Sequence, residues 1–310
     1  MADALLIDCD PGIDDMMALL VACASPELDL VGVSTVGGNA GLARTTRNAR
    51  AVLALAGRAD IPVAAGAARP LVRSAASFGA HVHGEDGLGG IDLPVPPGGP
   101  DPRSGALFLA ETILAATRPV TLVAIGPLTN VALLYAMFPD AAARLARLVV
   151  MAGAVGAGNI TRAAEFNAWW DPEAAYRVLT DPGVEVATTQ VTLDLTLRCT
   201  LPAGDVARLR AAGPAGERAA AALDFYSRAY RAQGSGDVTP VHDAIAVLAA
   251  LRPELFRTRP GRVLVDTGTG PERGATVVDP DPAAAGPRVA VADDGDVPAL
   301  LAEVARRLAG

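Results

Sequence analysis

Two apolar runs joined at Pro11-Gly12, with four aspartates crowded around the join, constrain this chain more than any other feature. The first run, Ala4-Leu5-Leu6-Ile7, leads into Asp8-Cys9-Asp10 and has the character of a buried strand. Beyond Ile13-Asp14-Asp15, residues 16–24 are apolar on every side, which suits a helix buried against a sheet. Alternation along the strand puts Asp8 and Asp10 on one side of its end and Cys9 on the other. Asp14 and Asp15 fall in the first helical turn, where the helix dipole favours carboxylates. Capping and turn chemistry account for one or two of these aspartates, but not for all four. Carboxylates so close together at the end of a buried strand repel one another unless a cation joins them. Oxygen-only ligands suit a hard ion such as Ca²⁺ or Mg²⁺, and strand ends of open α/β sheets are where ligands bind. The stretch reads as a metal or catalytic site.

The rest of the chain alternates strand and helix patterns. Residues 28–35 read as a strand ending at Gly37-Gly38-Asn39, 41–56 as a helix and 61–64 as a short strand. The segment 66–103, rich in glycine, proline and small residues, is too long for a plain connector and points to function. Helix over 105–117, strand over 120–125, helix over 127–137 and strand over 148–152 follow. Asp171-Pro172-Glu173 is a helix start, with an N-cap aspartate and proline in the first turn. A strand is expected over 184–191 and mostly helix over 202–252, broken at Gly234-Ser235-Gly236. Short strands over 262–265, 275–278 and 288–291 precede a closing helix over 297–308. The expected architecture is α/β, an open and mainly parallel sheet flanked by helices. No repeat or clean linker divides the chain, so one domain over 1–310 is expected.

Composition narrows the chemistry. The net charge of −8 argues against nucleic-acid polymers or anionic membranes as partners, and no charge-free apolar stretch reaches the length of a membrane span. The first residues lack a basic segment, so no signal peptide is expected. Cys9, Cys23 and Cys199 are widely spaced in apolar contexts and read as reduced thiols of a cytoplasmic protein. All 26 basic residues are arginine. The absence of lysine excludes the P-loop nucleotide site and Schiff-base or pyridoxal chemistry.

Further motifs follow the aspartate stretch in order: Gly37-Gly38-Asn39, His83-Gly84-Glu85-Asp86-Gly87-Leu88 and Gly126-Pro127-Leu128-Thr129-Asn130. Then come the run from Gly158-Asn159 through Glu165-Phe166-Asn167, Asp171-Pro172-Glu173-Ala174, and His242-Asp243-Ala244. With Asp8-Cys9-Asp10-Pro11-Gly12-Ile13-Asp14-Asp15, this series resembles the inosine/uridine-preferring nucleoside hydrolases, across residues 8–244. The resemblance implies a Rossmann-like core with the nucleoside hydrolase fold, and hydrolysis of a ribonucleoside to ribose and free base. Bond cleavage passes through a sugar of oxocarbenium character, which carboxylate and carbonyl oxygens near the ring stabilise.

By that resemblance, Asp10, Asp15, Asp243 and the main-chain carbonyl of Ile125 hold a Ca²⁺. Many relatives carry threonine at the last position, which a carbonyl ligand tolerates. The ion holds the ribose 2′- and 3′-hydroxyls and a water whose pKa it lowers, and Asp10 is the general base. Asp14, Asn39 and Asp243 bind ribose hydroxyls; Asn159, Glu165 and Asn167 take the 5′-hydroxyl side and stabilise the cationic sugar. His242 is the expected proton donor to the departing base, as in the family subset that accepts both purines and pyrimidines. His83 faces the base from the other side, in a glycine-rich loop over 79–90 expected to close as a lid. Tyr226 and Tyr230, one helical turn apart, resemble the aromatic wall of the base pocket, although a core or surface stripe has the same spacing. Asp8 reads as an orienting group behind the ligands. His81 reads as a surface residue, and Trp169 and Trp170 as core or interface. Relatives suggest a homodimer or homotetramer.

Three other readings compete. An aspartyl-nucleophile phosphohydrolase fits Asp8-x-Asp10, but the chain has no lysine to hold a phosphate and the acidic site would repel one. A nucleoside- or ribose-binding protein without turnover could use the same carboxylates, but would not need both a base and an acid. A hydrolase of a narrower or modified ribosyl substrate keeps every motif, and stays open.

Overall fold

The computed structural model describes residues 3–74, 79–181, 183–281 and 286–309. Part of the long segment 66–103, at 75–78, and the first two residues of the chain lie outside them. The strands are β1 (Asp3–Cys9), β2 (Leu28–Thr35), β3 (Val63–Ala65), β4 (Val120–Ala124), β5 (Leu145–Met151), β6 (Thr188–Val191), β7 (Phe256–Val265), β8 (Thr276–Asp279) and β9 (Val289–Gly295). They form one nine-stranded sheet in the order β3-β2-β1-β4-β5-β6-β9-β7-β8. The pairings from β3 across to β9 are all parallel, and only β7 runs antiparallel, to both β9 and β8. The mainly parallel α/β sheet expected from the alternating pattern is therefore present.

Helices cover both faces, and the period-two rule sorts β1 between two apolar cores. Leu5, Ile7 and Cys9 pack with the helices Ile13–Cys23 and His242–Leu251; Ala4 and Leu6 pack with Gly105–Ala115 and Thr129–Met137. The helix Ile13–Cys23 is buried on nearly every side because His242–Leu251 packs against it. This pairing brings the first turns of the two helices, with Asp14, Asp15, His242 and Asp243, to one end of the sheet. Strand order reverses between β1 and β4, since the chain first builds outward to β3 and then returns to the other side. The crevice beyond the carboxyl ends of strands at such a reversal is the usual ligand position.

Several boundaries differ from expectation for identifiable reasons. The strand expected over 184–191 begins only at Thr188, because its neighbours start pairing there, at Leu148 and Val289. Val184 and Val186 instead pack against the second core. β7 is longer than the expected 262–265, running back to Phe256 through Pro260. The polar run Arg257-Thr258-Arg259-Pro260 hid it. β7 pairs with β9 over its first half and β8 over its second, so each half has an open edge that tolerates proline and charge. Cys9 and Cys199 are buried, Cys23 is half-buried, and all three are free.

Candidate functional site

The acidic stretch folds as its alternation implies. Asp8, Asp10, Asp14 and Asp15 are all buried, at 0%, 1%, 7% and 0% exposure, and Asp243 joins them at 3%. Asp15 sits in the first helical turn and accepts the N–H groups of Gly12 (2.8 Å, Oδ2) and Asp10 (3.1 Å, Oδ1). Asn39 Nδ2 adds a third donor to Asp15 Oδ2 at 3.2 Å. Asn39 also gives its main-chain N–H to Asp10 Oδ2 at 2.6 Å. The motif glycines admit this approach: a Cβ on Gly38 would lie 2.0 Å from Asp10 Oδ2, and one on Gly12 2.7 Å from both Asn39 Nδ2 and His83 Nδ1.

Burial without a basic partner raises these carboxyls. Asp15 is pushed up to about 7, first by loss of solvent and then by the charge of Asp14. Asp10 and Asp243 rise well above the usual carboxylate range, for burial first and neighbouring aspartates second. Buried oxygens Asp10 Oδ1 and Asp14 Oδ1 have no hydrogen-bond partner. Carboxylate atoms of Asp14, Asp15 and Asp243 lie within 4.8 Å of one another. A set of oxygen donors with orphaned lone pairs and surplus negative charge fits a hard divalent cation. Asp10, expected among the ligands, stands beside this trio, coupled to Asp15 through its own N–H.

Opposite the aspartates, Glu165 caps the short helix Phe166–Trp170. Its carboxylate accepts the N–H of Asn167 (2.9 Å), Ala168 (3.2 Å) and Gly153 (2.7 Å). Asn167 thereby faces back across the crevice, donating Nδ2 to Ile125 O at 3.0 Å and Met151 O at 2.9 Å. Its Oδ1 is left for the cavity. Asn159 accepts the Phe166 N–H through Oδ1 at 2.9 Å, so its NH₂ group is the free end.

The remaining wall is a chain of rings. His83 stacks on Tyr226 at 5.3 Å, and Tyr226 meets Tyr230 edge-on at 4.9 Å. Burial, and next the charges of neighbouring Asp14 and Tyr230, push the Tyr226 hydroxyl well above its ordinary range. Tyr230 Oη lies 3.1 Å from His242 Nε2, and His242 Nδ1 lies 2.8 Å from Thr196 Oγ1. Burial depresses both histidines, His83 to about 3. His83 Nδ1 accepts the Ile13 N–H at 3.0 Å, so its proton resides on Nε2. Its 3.9 Å approach to Asp14 is therefore not an ion pair.

The loop expected to be a pliable lid is fastened from outside. Gly84, Gly87, Gly89 and Gly90 adopt positive φ and shape a turn. Asn48 Nδ2 holds Asp86 O and Arg44 holds Glu85 O, while Arg47 and Arg50 hold the carbonyls of Leu93 and Pro96 in the chain beyond the loop. The glycines supply the positive φ that this turn requires.

One cavity of about 290 Å³ is lined by Asp14, Asn39, His83, Ile125, Asn159, Glu165, Asn167, Tyr226, Tyr230, His242 and Asp243. Asp10 and Asp15 lie immediately behind this lining. His81, read as a surface residue, is exposed and also borders the cavity mouth. Trp170 is core, as read; Trp169 pairs with Phe166 at 6.4 Å. Met151, Phe166, Leu197, Gln233 and Ser235 also line the cavity and were not singled out from sequence. Only the proximity of the last two to Tyr230 could have suggested them.

Comparison with known proteins matches this geometry to a family. The profile of the inosine-uridine preferring nucleoside hydrolases matches residues 5–302. A pyrimidine-specific ribonucleoside hydrolase RihA of Salmonella agona is 42% identical over 281 residues, covering 90% of this chain and 89% of that protein. The protein of the same name from Escherichia coli O9:H4 is 41% identical over the same shares. Among solved structures, a purine-preferring ribonucleoside hydrolase from Gardnerella vaginalis superposes with a TM-score of 0.93 at 30% identity, covering 99% of this chain and 98% of the other. The plant nucleoside hydrolase PpNRh1 gives 0.91 at 30% identity, covering both chains completely.

Proposed function

Because the chain belongs to the inosine-uridine preferring nucleoside hydrolase family and is an N-ribosyl hydrolase of ribonucleosides, we propose that its substrates are pyrimidine ribonucleosides and that Ca²⁺ supports their hydrolysis. The observation that carries this reading is the juxtaposition, across one cavity, of orphaned buried carboxylates and a hydrogen-bonded Tyr–His pair. The first end suits the ribose and the attacking water, the second the departing base. The 42% identity to pyrimidine-specific relatives supports the choice of base.

Asp10, Asp15, Asp243 and the Ile125 carbonyl would hold the ion, with Asp14 alongside; when bound, it polarises water and grips the ribose diol. Asp10 takes the proton of the attacking water at Oδ1, which burial makes basic. Asp14, Asn39 and Asp243 accept and donate to the ribose hydroxyls. Asn159 offers its NH₂ and Asn167 its Oδ1 toward the 5′ side. The negative end of the Asn167 amide also favours the cationic sugar. Glu165 acts there chiefly through the cap that orients Asn167. As the bond from C1′ to the base nitrogen breaks, its electron pair goes to the base. The base is protonated from Tyr230 Oη or His242 Nε2, while His83 and Tyr226 form the ring wall beside it.

The reading includes one folded unit over 1–310 and a homodimer or homotetramer, which light scattering measures. Three unpaired cysteines fit a reducing cytoplasmic compartment. Among the described residues no helix is long and apolar enough to cross a membrane. The test is kcat/KM for uridine, cytidine, inosine and adenosine. The reading expects the pyrimidines to exceed the purines by roughly tenfold or more, as differential contacts to a base allow. Equal or reversed ranking contradicts it.

A further inference from the structure

Behind the acidic loop lies Asn130, a wholly buried amide that does not line the cavity. Its Nδ2 donates to Asp8 Oδ1 at 2.7 Å and to Thr35 O at 3.0 Å, and its Oδ1 accepts the Ala67 N–H at 2.8 Å. One side chain on the helix Thr129–Met137 thus gathers the carboxyl ends of β1 and β2 and the chain leaving β3. Every polar atom of the amide is used. Two glycines make room for it: a Cβ on Gly66 would lie 2.2 Å from Asn130 Oδ1, and one on Gly105 would lie 3.2 Å from Nδ2. Ser34 completes the arrangement by donating its hydroxyl to the same Asp8 oxygen at 2.5 Å.

The tie continues toward the cavity. Ala67, fixed by Asn130, accepts the Gly37 N–H at 2.9 Å through its carbonyl. Two residues further on, Asn39 delivers its N–H to Asp10 Oδ2 and its Nδ2 to Asp15 Oδ2. Thr35, the other main-chain partner, is the last residue of β2 and opens that same loop. A buried amide serving only sheet stability would give no preference to these positions, and an apolar side chain would cost less to bury. All three of its partners lie instead at strand ends bordering the loop that touches Asp10.

We infer that Asn130 is a positioning residue for the acidic cluster: it locks the 36–39 loop against Asp8, and so aims Asn39 at Asp10 and Asp15. Asp8 is the anchor of this tie rather than a ligand. The inference concerns loop geometry; only its second readout rests on the reading of the cluster as a Ca²⁺ site.

Three variants of the full chain test it. Asn130→Asp keeps the shape but removes the donor. Gly66→Ala pushes the amide from the opposite side without altering it, and so carries the test if Asn130→Asp fails to fold. Val131→Ala opens space beside the tie, at a wholly buried core residue, without touching it. Amide hydrogen exchange over 36–41 and calorimetric Ca²⁺ titration are the readouts. In Asn130→Asp and Gly66→Ala, loop exchange is expected to quicken and Ca²⁺ binding to weaken, each by about tenfold or more, as for other groups that orient metal ligands. Val131→Ala is expected to lower the melting temperature while leaving both readouts near wild type. Unchanged loop exchange in the first two variants, or equal acceleration in Val131→Ala, overturns the inference. A wild-type protein that takes up no Ca²⁺ contradicts the metal reading instead, and the exchange data alone then decide the role of Asn130.

Discussion

Asp10 Oδ2 accepts the main-chain N–H of Asn39 at 2.6 Å, while Asp10 Oδ1 is buried and has no partner in the protein. One oxygen is thus held and the other left free, the division of labour a general base needs. Its pKa is raised by burial, so the free oxygen accepts a proton more readily than a solvated carboxylate would.

Asp10→Asn is therefore expected to abolish most turnover while preserving the fold. The amide oxygen can still accept the Asn39 N–H, but nothing remains to take a proton. A loss of about 10²–10⁴ in kcat is the range for a general base. The metal-free variant should melt no lower than wild type, since one buried charge has been removed. Steady-state kinetics and a melting curve check both statements.

The departing base supplies a second contrast. Tyr230 Oη and His242 Nε2 lie 3.1 Å apart, and Thr196 Oγ1 lies 2.8 Å from the other ring nitrogen. His242→Ala should slow uridine hydrolysis by roughly 10²-fold or more, the lower end expected for a general acid. It should have little effect on 4-nitrophenyl riboside, whose leaving group departs without a proton. Equal losses on both substrates would refute the acid role.

The buried aspartates also predict an unusual dependence of stability on pH. Asp8 and Asp15 are pushed up to about 7, mainly by burial. The folded, metal-free chain therefore binds protons that the unfolded chain releases, and its stability is lost as pH rises through that window. Glu27, Asp60 and Asp101 are shifted the other way by arginine partners, so their contribution is lost only in more acid solution. With chelator present, the melting temperature should be higher at pH ~5.5 than at pH ~8. With Ca²⁺ present the difference should shrink or reverse, because the ion favours ionised carboxylates. A chelated protein whose melting temperature climbs with pH would contradict this.

Arg273 offers a stability test away from the cavity. Its guanidinium bonds both Glu173 oxygens at 2.7 Å and the carbonyls of Thr267 and Gly268. Arg273→Met leaves Glu173 unpaired and the turn unheld, at a cost of about 2–3 kcal/mol, below the full buried-pair range because Glu173 is partly exposed. Urea unfolding measures it.

What the sequence made legible and what it hid have different physical origins. Asp8, Asp10, Asp14 and Asp15 announced themselves because polar residues interrupting a buried strand and helix need a reason. Asn39, Asn159 and Asn167 stood out because they sit within the ordered motifs. The supporting partners did not. Ser34 and Thr196 look like ordinary polar residues, and Asn130 stood in the Gly126–Asn130 motif without a role; only the three-dimensional register brings each to its aspartate, carbonyl or imidazole. Glu165 was found, but its part as a cap requires knowing that a short helix begins at Phe166. The glycine-rich loop after His83 read as pliable because glycine pattern reports permitted φ; that Arg44 and Asn48, distant in sequence, bond its Glu85 and Asp86 carbonyls is visible only in the fold.

The most direct test of the account is ribose release from uridine by the purified protein after exhaustive chelation, before and after Ca²⁺ is restored. The account predicts activity lost with the metal, regained on Ca²⁺ addition, and lowered by about 10²–10⁴ in Asp10→Asn with Ca²⁺ present. Full ribose release in the chelated wild type, or undiminished release by Asp10→Asn, would contradict it.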